Sequence, residues 1–459
     1  MLVRPKHARL AQRRFLHQFA DDLTPPARGH NWARRRETQR AARVYFNGLL
    51  QPVQVKSMER LAASGGIPSH RLQQFITDSP WDADHLLESL TTRMGGLPSP
   101  EGIVVFDDTG QAKQGRHSVG VGRQYSGTLG RIGNCQVAVT AIYVVPGKGH
   151  NADAISWPLG MDLYLPKDWT ENPARREAVG IPEGIAYRTK PEIALEILDR
   201  VRAQRVPHRA IVVDAGYGDV DPFRQELRRL HEPYAAAWAP ANHRTILVED
   251  SRPLAEGRLP SGTEEWSPAR LATSLPAEAW REIEWSEGTK GQLRAEFVRR
   301  RVRVTHQSTV SHGTRVLTDE EGWLVLERTP DELKAWIVWG LDDRELDEQV
   351  LVIHNRWAIE QYHREIKQIL GMDRFEGRTW RGWHHHMAMI CLAYAFLAQL
   401  RAERAGGRKL PPFNAIHWSV VYALIRFEVL KDQGLTKAQS KEIALRMMVR
   451  VLGLRQPPE

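Results

Sequence analysis

Arg356, Glu360 and Lys367, in the stretch Arg356-Trp-Ala-Ile-Glu-Gln-Tyr-His-Arg-Glu-Ile-Lys367, carry the spacing most suggestive of chemistry. At about 100° per residue, steps of four and eleven residues bring all three within roughly 40° of one another on a helix. A carboxylate between two cations suits a group that holds a divalent metal while the cations hold phosphate oxygens, as the cutting of DNA requires. The simpler reading is a solvated helix with an Arg/Glu pair four residues apart. Two earlier positions bear on that choice, because Phe106-Asp-Asp108-Thr-Gly and Val213-Asp214-Ala-Gly-Tyr each set an acid directly after a short apolar run.

Phosphodiester cleavage needs a water deprotonated at neutral pH and a stabilised leaving alkoxide, and two Mg²⁺ ions about 4 Å apart serve both needs. Mg²⁺ prefers oxygen ligands and keeps several waters, so two or three carboxylates on a rigid sheet suffice. Without metal, three converging acids would repel one another and raise their pKa values. Of the adjacent Asp107 and Asp108, only one can face such a site, because neighbouring strand residues point to opposite sides. Asp214 also reads as an ordinary acid at a strand-end turn. Glu365 lies about 140° round the helix from Glu360 and is expected to point elsewhere.

The elements that must position these residues follow from apolar periodicity. Ile103-Val-Val-Phe106 and Ala210-Ile-Val-Val213 read as buried strands, and 136–145 and 156–165 as two more. Helices are expected near Lys190–Val201 and Asp221–Leu230. Strands alternating with helices indicate an α/β core with a mixed sheet. Short helical patterns broken by Gly65-Gly-Ile-Pro68 fill 53–92, which fits a small DNA-binding bundle, and Pro98-Ser-Pro-Glu-Gly102 marks a boundary. Alternating segments and Pro/Gly-rich stretches make 235–345 a β-rich insertion, and helices complete the chain from Leu346. The domains expected are therefore 1–97, a basic arm and helical DNA-binding region; 98–234, the first part of the core; 235–345, the insertion; and 346–459, core completion and C-terminal helices.

The 459 residues are too many for one ordinary core. The longest uncharged apolar run, Met387–Leu400, falls short of the roughly 20 residues that span a bilayer, so a buried helix and no membrane are expected. The N-terminus is basic without an apolar stretch after its charges, which reads as neither a secretory nor an organelle signal; a cytoplasmic site of action follows. Cys135 and Cys391 have no CxxC partner and read as core thiols, not a disulfide or zinc framework. The net charge is +9, and residues 1–50 hold eleven Arg or Lys against three acids. Such a patch, with Arg34, Arg35 and Arg36 at its centre, points to a polyanionic partner whose condensed counterions it releases.

The three acidic motifs together resemble the DDE transposases of bacterial insertion sequences, over roughly Ile103 to Ile390. The third resembles a subgroup signature, Tyr-x2-Arg-x3-Glu-x6-Lys: Arg356, Glu360 and Lys367 match at the right spacings, and Ile353 stands where the family has Tyr. The resemblance implies an RNase H-like α/β fold, a mixed sheet with flanking helices, and a β-rich insertion before the last catalytic helix. It implies Asp108, Asp214 and Glu360 as catalytic metal ligands, with Asp108 preferred because the family's Asp directly precedes Thr. It further implies two Mg²⁺ ions, with Mn²⁺ as a substitute, and Arg356 and Lys367 on phosphates. The partners implied are double-stranded DNA, as the element's terminal repeats and as target, and a homodimer on paired ends that cuts and then joins strands.

Other residues suggest how DNA would be held. Lys113–Arg131 is Gly-rich with interleaved cations, so Lys113, Arg116, Arg123 and Tyr125, with His117, are candidates to grip a strand; a hairpin loop without ligand is the alternative. His384-His385-His386 invites a metal reading, yet consecutive helical residues point about 100° apart and cannot chelate one ion together. Fifteen Trp residues include a possible base-holding aromatic, and most are expected in the core. Two rival functions remain open: a DNA-binding descendant of a transposase that no longer cuts, and a carboxylate-pair glycoside hydrolase, which a basic chain suits poorly.

Overall fold

The computed structural model describes residues 5–23, 32–52, 56–147, 154–248, 257–259, 262–288, 291–307, 315–405, 410–432 and 436–452. Helices come first: α1 (Pro5–Gln18), α2 (Trp32–Leu50), α3 (Met58–Ser64), α4 (Ser69–Thr77) and α5 (Ala83–Thr92). Local chemistry sets their starts, since the Ser57 hydroxyl accepts from the Arg60 amide and Asp82 accepts from the amides of Asp84 and His85. Their apolar faces share one continuous core with the rest of the chain. Phe15 and Phe46 meet Phe396, and Trp81 stacks on His385, which is why a 26-residue helix, α14 (Trp380–Ala405), is buried on nearly every side.

The strands are β1 (Ile103–Ala112), β2 (Gly122–Ser126), β3 (Arg131–Val145), β4 (Ile155–Tyr164), β5 (Ala210–Val213), β6 (Tyr234–Trp238), β7 (Arg244–Leu247), β8 (Gly257–Arg258), β9 (Arg281–Gly288), β10 (Gly291–Gln307), β11 (Arg315–Arg328) and β12 (Leu333–Trp339). All join one mixed sheet in the order β2-β3-β1-β5-β6-β12-β11-β10-β7, with β4 on β3, β8 on β11 and β9 on β10. Strand β5 runs parallel to both β1 and β6, and the other pairings are antiparallel. The parallel centre reads as unbroken apolar runs because both faces are covered: Ile103–Phe106 and Ala210–Val213 are all buried. The strands of 235–345 extend this sheet beyond β6 through β12.

Flanking and connecting helices are α6 (Lys167–Thr170), α7 (Pro173–Val179), α8 (Lys190–Ala203), α9 (Ala215–Gly218), α10 (Asp221–Arg229), α11 (Pro268–Ser274), α12 (Leu346–His354), α13 (Trp357–Glu365), α15 (Phe413–Asp432) and α16 (Lys437–Leu452). A buried ion cluster ties α10 to the far half of the sheet. Arg224 donates to both oxygens of Glu320 on β11 at 2.8 and 3.0 Å, Arg228 lies 3.2 Å away and the Tyr234 hydroxyl donates at 2.6 Å. No described helix is long and apolar enough to cross a membrane. Cys135 and Cys391 are both free and buried.

Candidate active site

Phe106 on β1 pairs with Val213 on β5, so the residues that follow, Asp107-Asp108 and Asp214, emerge side by side beyond the last paired positions of two parallel strands. Asp214 ends β5 and opens α9, where its carbonyl accepts the Gly218 amide at 2.7 Å. Burial pushes its carboxyl up, the Arg356 charge opposes that, and Asp108 adds to it. Its Oδ1 is buried with no hydrogen-bond partner, and the nearby Tyr217 hydroxyl is also buried without one. Burial raises the Tyr217 phenol well above its ordinary value, and the charges of Asp108, Asp107 and Asp214 act in the same direction.

The two neighbouring acids of β1 pair with different cations. Asp107 sits 3.4 Å from the Arg356 guanidinium, and its Oδ1 accepts the Asp108 amide at 2.7 Å. Burial and the charge of Asp214 push the Asp107 carboxyl up to about 7 against the pull of Arg356. Asp108 pairs with Lys190, at the start of α8, at 2.5 Å. Sequence reasoning gave Lys190 only as a helix residue; its sole signal was a cation at the first turn of a helix, where the helix dipole disfavours one.

Arg356 precedes α13 and also pairs with Glu360 one turn on, so a single guanidinium joins Glu360 to Asp107. Below it, His363 lies 2.7 Å from the Thr140 hydroxyl, which donates to the Asp107 carbonyl at 3.0 Å. Burial, aided by Lys367 and Arg356, pushes His363 down to about 3, so it is neutral and donates from Nε2 to Thr140. The α-helix stops at Glu365, and Lys367 belongs to a π turn, Ile366–Leu370, so the three-residue stripe expected on one regular helix is broken after Glu360. The Lys367 ammonium donates to the Gly110 carbonyl and the Thr128 hydroxyl, both at 3.0 Å. Burial lowers its pKa, against Asp373, Asp107 and Asp108. Glu365 points into the core, bonded to Tyr394 at 2.9 Å and Gln361 at 2.8 Å.

The remaining candidates are spread out. Lys113 donates to the Phe375 carbonyl, and burial lowers its pKa to about 8. Arg116 and Arg123 are exposed and line an open cavity of about 580 Å³ with Asn134, Asp168 and Arg175. Tyr125 on β2 is 60% exposed. Arg36 is exposed on α2, whereas the side chains of Arg34 and Arg35 lie outside the described residues. His384 pairs with Asp162, His385 has a ring nitrogen 2.8 Å from each of the carbonyls of Ile76 and Trp81, and His386 contacts the Tyr45 hydroxyl, so the three histidines diverge into packing roles. Trp357, between Arg356 and Glu360, is 57% exposed.

Among the described residues no three His, Cys, Asp or Glu side chains are gathered closely enough to hold a metal ion as they stand. What the site offers is an oxygen-only donor set suited to Mg²⁺, one of whose oxygens, Asp214 Oδ1, is buried and unsatisfied. Cations of the protein itself cover the other acids: Lys190 on Asp108, Arg356 on Asp107 and Glu360.

Residues 18–292, well over half of the chain, match the family model described as DDE superfamily endonuclease. That span contains Asp107, Asp108 and Asp214 and ends before Glu360. Over 177 residues the chain is 30% identical to a protein of Microchaete diplosiphon named "Probable transposase for insertion sequence element IS701". The match covers 38% of this chain and 41% of that relative's length.

Proposed function

The chain belongs to the DDE superfamily of endonucleases, and from that premise we propose that it is the transposase of an insertion sequence. It binds the terminal repeats of its element as double-stranded DNA, nicks there, and joins the freed 3′-hydroxyl to target DNA, working in the bacterial cytoplasm at the nucleoid as a homodimer on paired ends. The core of this reading is the strand set β4-β3-β1-β5-β6, whose parallel centre supports an RNase H-like frame, with 1–97 as the DNA-binding region and 235–345 as a β-rich insertion.

One observation carries the proposal: acids that follow directly on the last paired positions of two adjacent parallel strands, with the Asp214 Oδ1 buried and unpartnered. Asp108, Asp214 and Glu360 are the residues that would hold two Mg²⁺ ions, or Mn²⁺ in their place. Bound there, the ions supply a hydroxide-like water and charge stabilisation for the leaving oxygen. The chain's own groups do the positioning. Arg356 ties Glu360 to Asp107 on β1 and is the cation to which we assign a phosphate of bound DNA. Lys367 fixes the segment around Gly110 and Thr128 that follows Asp108. His363, through Thr140, locks α13 to the Asp107 backbone. Arg116 and Arg123, which line one open cavity, and the exposed Tyr125 of β2 are the groups left to meet the DNA backbone.

The test is nicking of end-bearing DNA by the full chain in Mg²⁺. Asp214→Asn is expected to lose several kcal/mol of transition-state stabilisation, about a thousandfold in rate. Nicking by that variant at the wild-type rate would overturn the proposal.

A further inference from the structure

Lys190 is placed where it serves its own helix badly. It occupies the first turn of α8, whose start is already satisfied by a reciprocal pair: the Thr189 side chain accepts from the Glu192 amide, and the Glu192 carboxylate accepts from the Thr189 amide. A cation at that position opposes the helix dipole, so helix stability alone would favour almost any neutral residue there. Its ammonium instead lies 2.5 Å from Asp108 Oδ2, with both side chains mostly shielded from water, at 25% and 18% exposure. The same ammonium lies over the Tyr164 ring, 6.0 Å from its centroid. Other groups facing this spot are Cys135, on whose thiol both Lys190 and Asp108 act, and the acids Asp107 and Asp214. Thus one carboxylate of the site has a resident cation, while its neighbour Asp214 keeps an oxygen with no partner.

We propose that Lys190 is a built-in counter-ion that competes with divalent metal for Asp108, holding that carboxylate in the metal-free protein and yielding it when metal binds. The inference rests on the reading of Asp108 as a metal ligand. An ammonium at hydrogen-bond distance takes one lone pair of Oδ2 and sets a positive charge beside any metal that would bind this carboxylate. A monovalent and a divalent cation cannot share one oxygen at close range without strong repulsion, so metal entry requires Lys190 to swing off. The four-carbon stem permits that movement, and the displaced ammonium remains beside the site, placed to meet a phosphate oxygen of bound DNA. Metal affinity in the absence of DNA is therefore held down by the strength of one partly shielded ion pair.

The experiment is Mn²⁺ binding to the DNA-free full chain, read by electron paramagnetic resonance of the free ion. The variants are Lys190→Gln, Lys190→Met, Lys190→Arg and Asp108→Asn. Removing the cation while keeping the stem, in Lys190→Gln and Lys190→Met, is expected to tighten Mn²⁺ binding about fivefold, the scale of such an ion pair. Lys190→Arg should bind as wild type does. Asp108→Asn should weaken binding and erase the gain from Lys190→Gln in the double variant. Unchanged or weaker binding in both neutral variants, with Asp108→Asn still impaired, overturns the Lys190 inference and leaves Asp108 as a ligand. Wild-type affinity in Asp108→Asn overturns the ligand reading and this inference with it.

Discussion

Gly218 is the position where one methyl group should separate fold from function. It closes the short helix that begins at Asp214, and a Cβ built there would lie 2.0 Å from the Ala237 carbonyl oxygen and 3.0 Å from its carbon. Both are backbone atoms of β6, paired on one side with β5 and on the other with β12, so neither can move alone. An ordinary carbon–oxygen contact needs about 3.2 Å or more, so Gly218→Ala must push α9 from the sheet by about 1 Å, an overpacking that costs about 3 kcal/mol. The displacement falls on the acid itself, because the Gly218 amide bonds the Asp214 carbonyl and the Gly218 carbonyl anchors both Arg224 and Trp238. A shift of about 1 Å in a positioned group is worth roughly a hundredfold in rate. The assay pairs urea unfolding with nicking of end-bearing DNA at a temperature where the variant stays folded. Gly184→Ala, whose added methyl meets nothing within 4 Å, is the control and should match wild type in both. Gly218→Ala with a wild-type midpoint and nicking within about threefold of wild type would refute the reasoning, since a 2.0 Å backbone clash cannot be absorbed silently.

Two further outcomes follow from protonation. Asp107 is held at about 7 in the folded, metal-free protein against 3.8 as its ordinary value, so between those pH values the folded state keeps a proton the unfolded chain has lost, and stability falls as pH rises. In chelator, Asp107→Asn should therefore gain on wild type from pH 5 to pH 8 by at most about 3 kcal/mol; a gap in unfolding free energy independent of pH would contradict this. His385, His386 and His417 are pushed down by burial to about 4, 3 and 4, the opposite sign: their contribution is whole above about 6.5 and is lost as pH falls toward 4. The urea midpoint of the wild type should drop between pH 7 and pH 4.5, and a flat midpoint would show that these rings take protons while folded.

The parts of this molecule legible in the sequence are those set by local pattern. Ile103–Phe106 and Ala210–Val213 are apolar without interruption because parallel central strands are covered on both faces, and the acids that end such runs stand out. That His384, His385 and His386 diverge, and that Glu365 points away from Glu360, followed from angular spacing alone; that Glu365 turns into the core did not. Long-range pairing is not written in periodicity. Nothing in 235–345 announces that its strands prolong the core sheet edge to edge through β6 and β12, and nothing near Lys190 announces Asp108, which stands 2.5 Å away across the fold. Lys113 looked free to grip a phosphate because its partner is a backbone carbonyl, that of Phe375, which no side-chain motif records.

The break in the third motif has a physical cause with wider consequence. A wheel drawn at 100° per residue assumes one helix, but a π turn at Ile366–Leu370 winds more slowly and re-aims Lys367 toward Gly110 and Thr128. That turn ends at Gly371, at φ 76°, where a side chain would be strained and its Cβ would lie 2.7 Å from the Lys56 Cδ. Lys56 is half-buried, its pKa lowered to about 7 by desolvation, and its ammonium donates to the carbonyls of Leu49 and Gln51 at 2.6 Å, closing the end of α2. The segment that carries Glu360 and Lys367 therefore terminates directly against the joint that ends the second N-terminal helix.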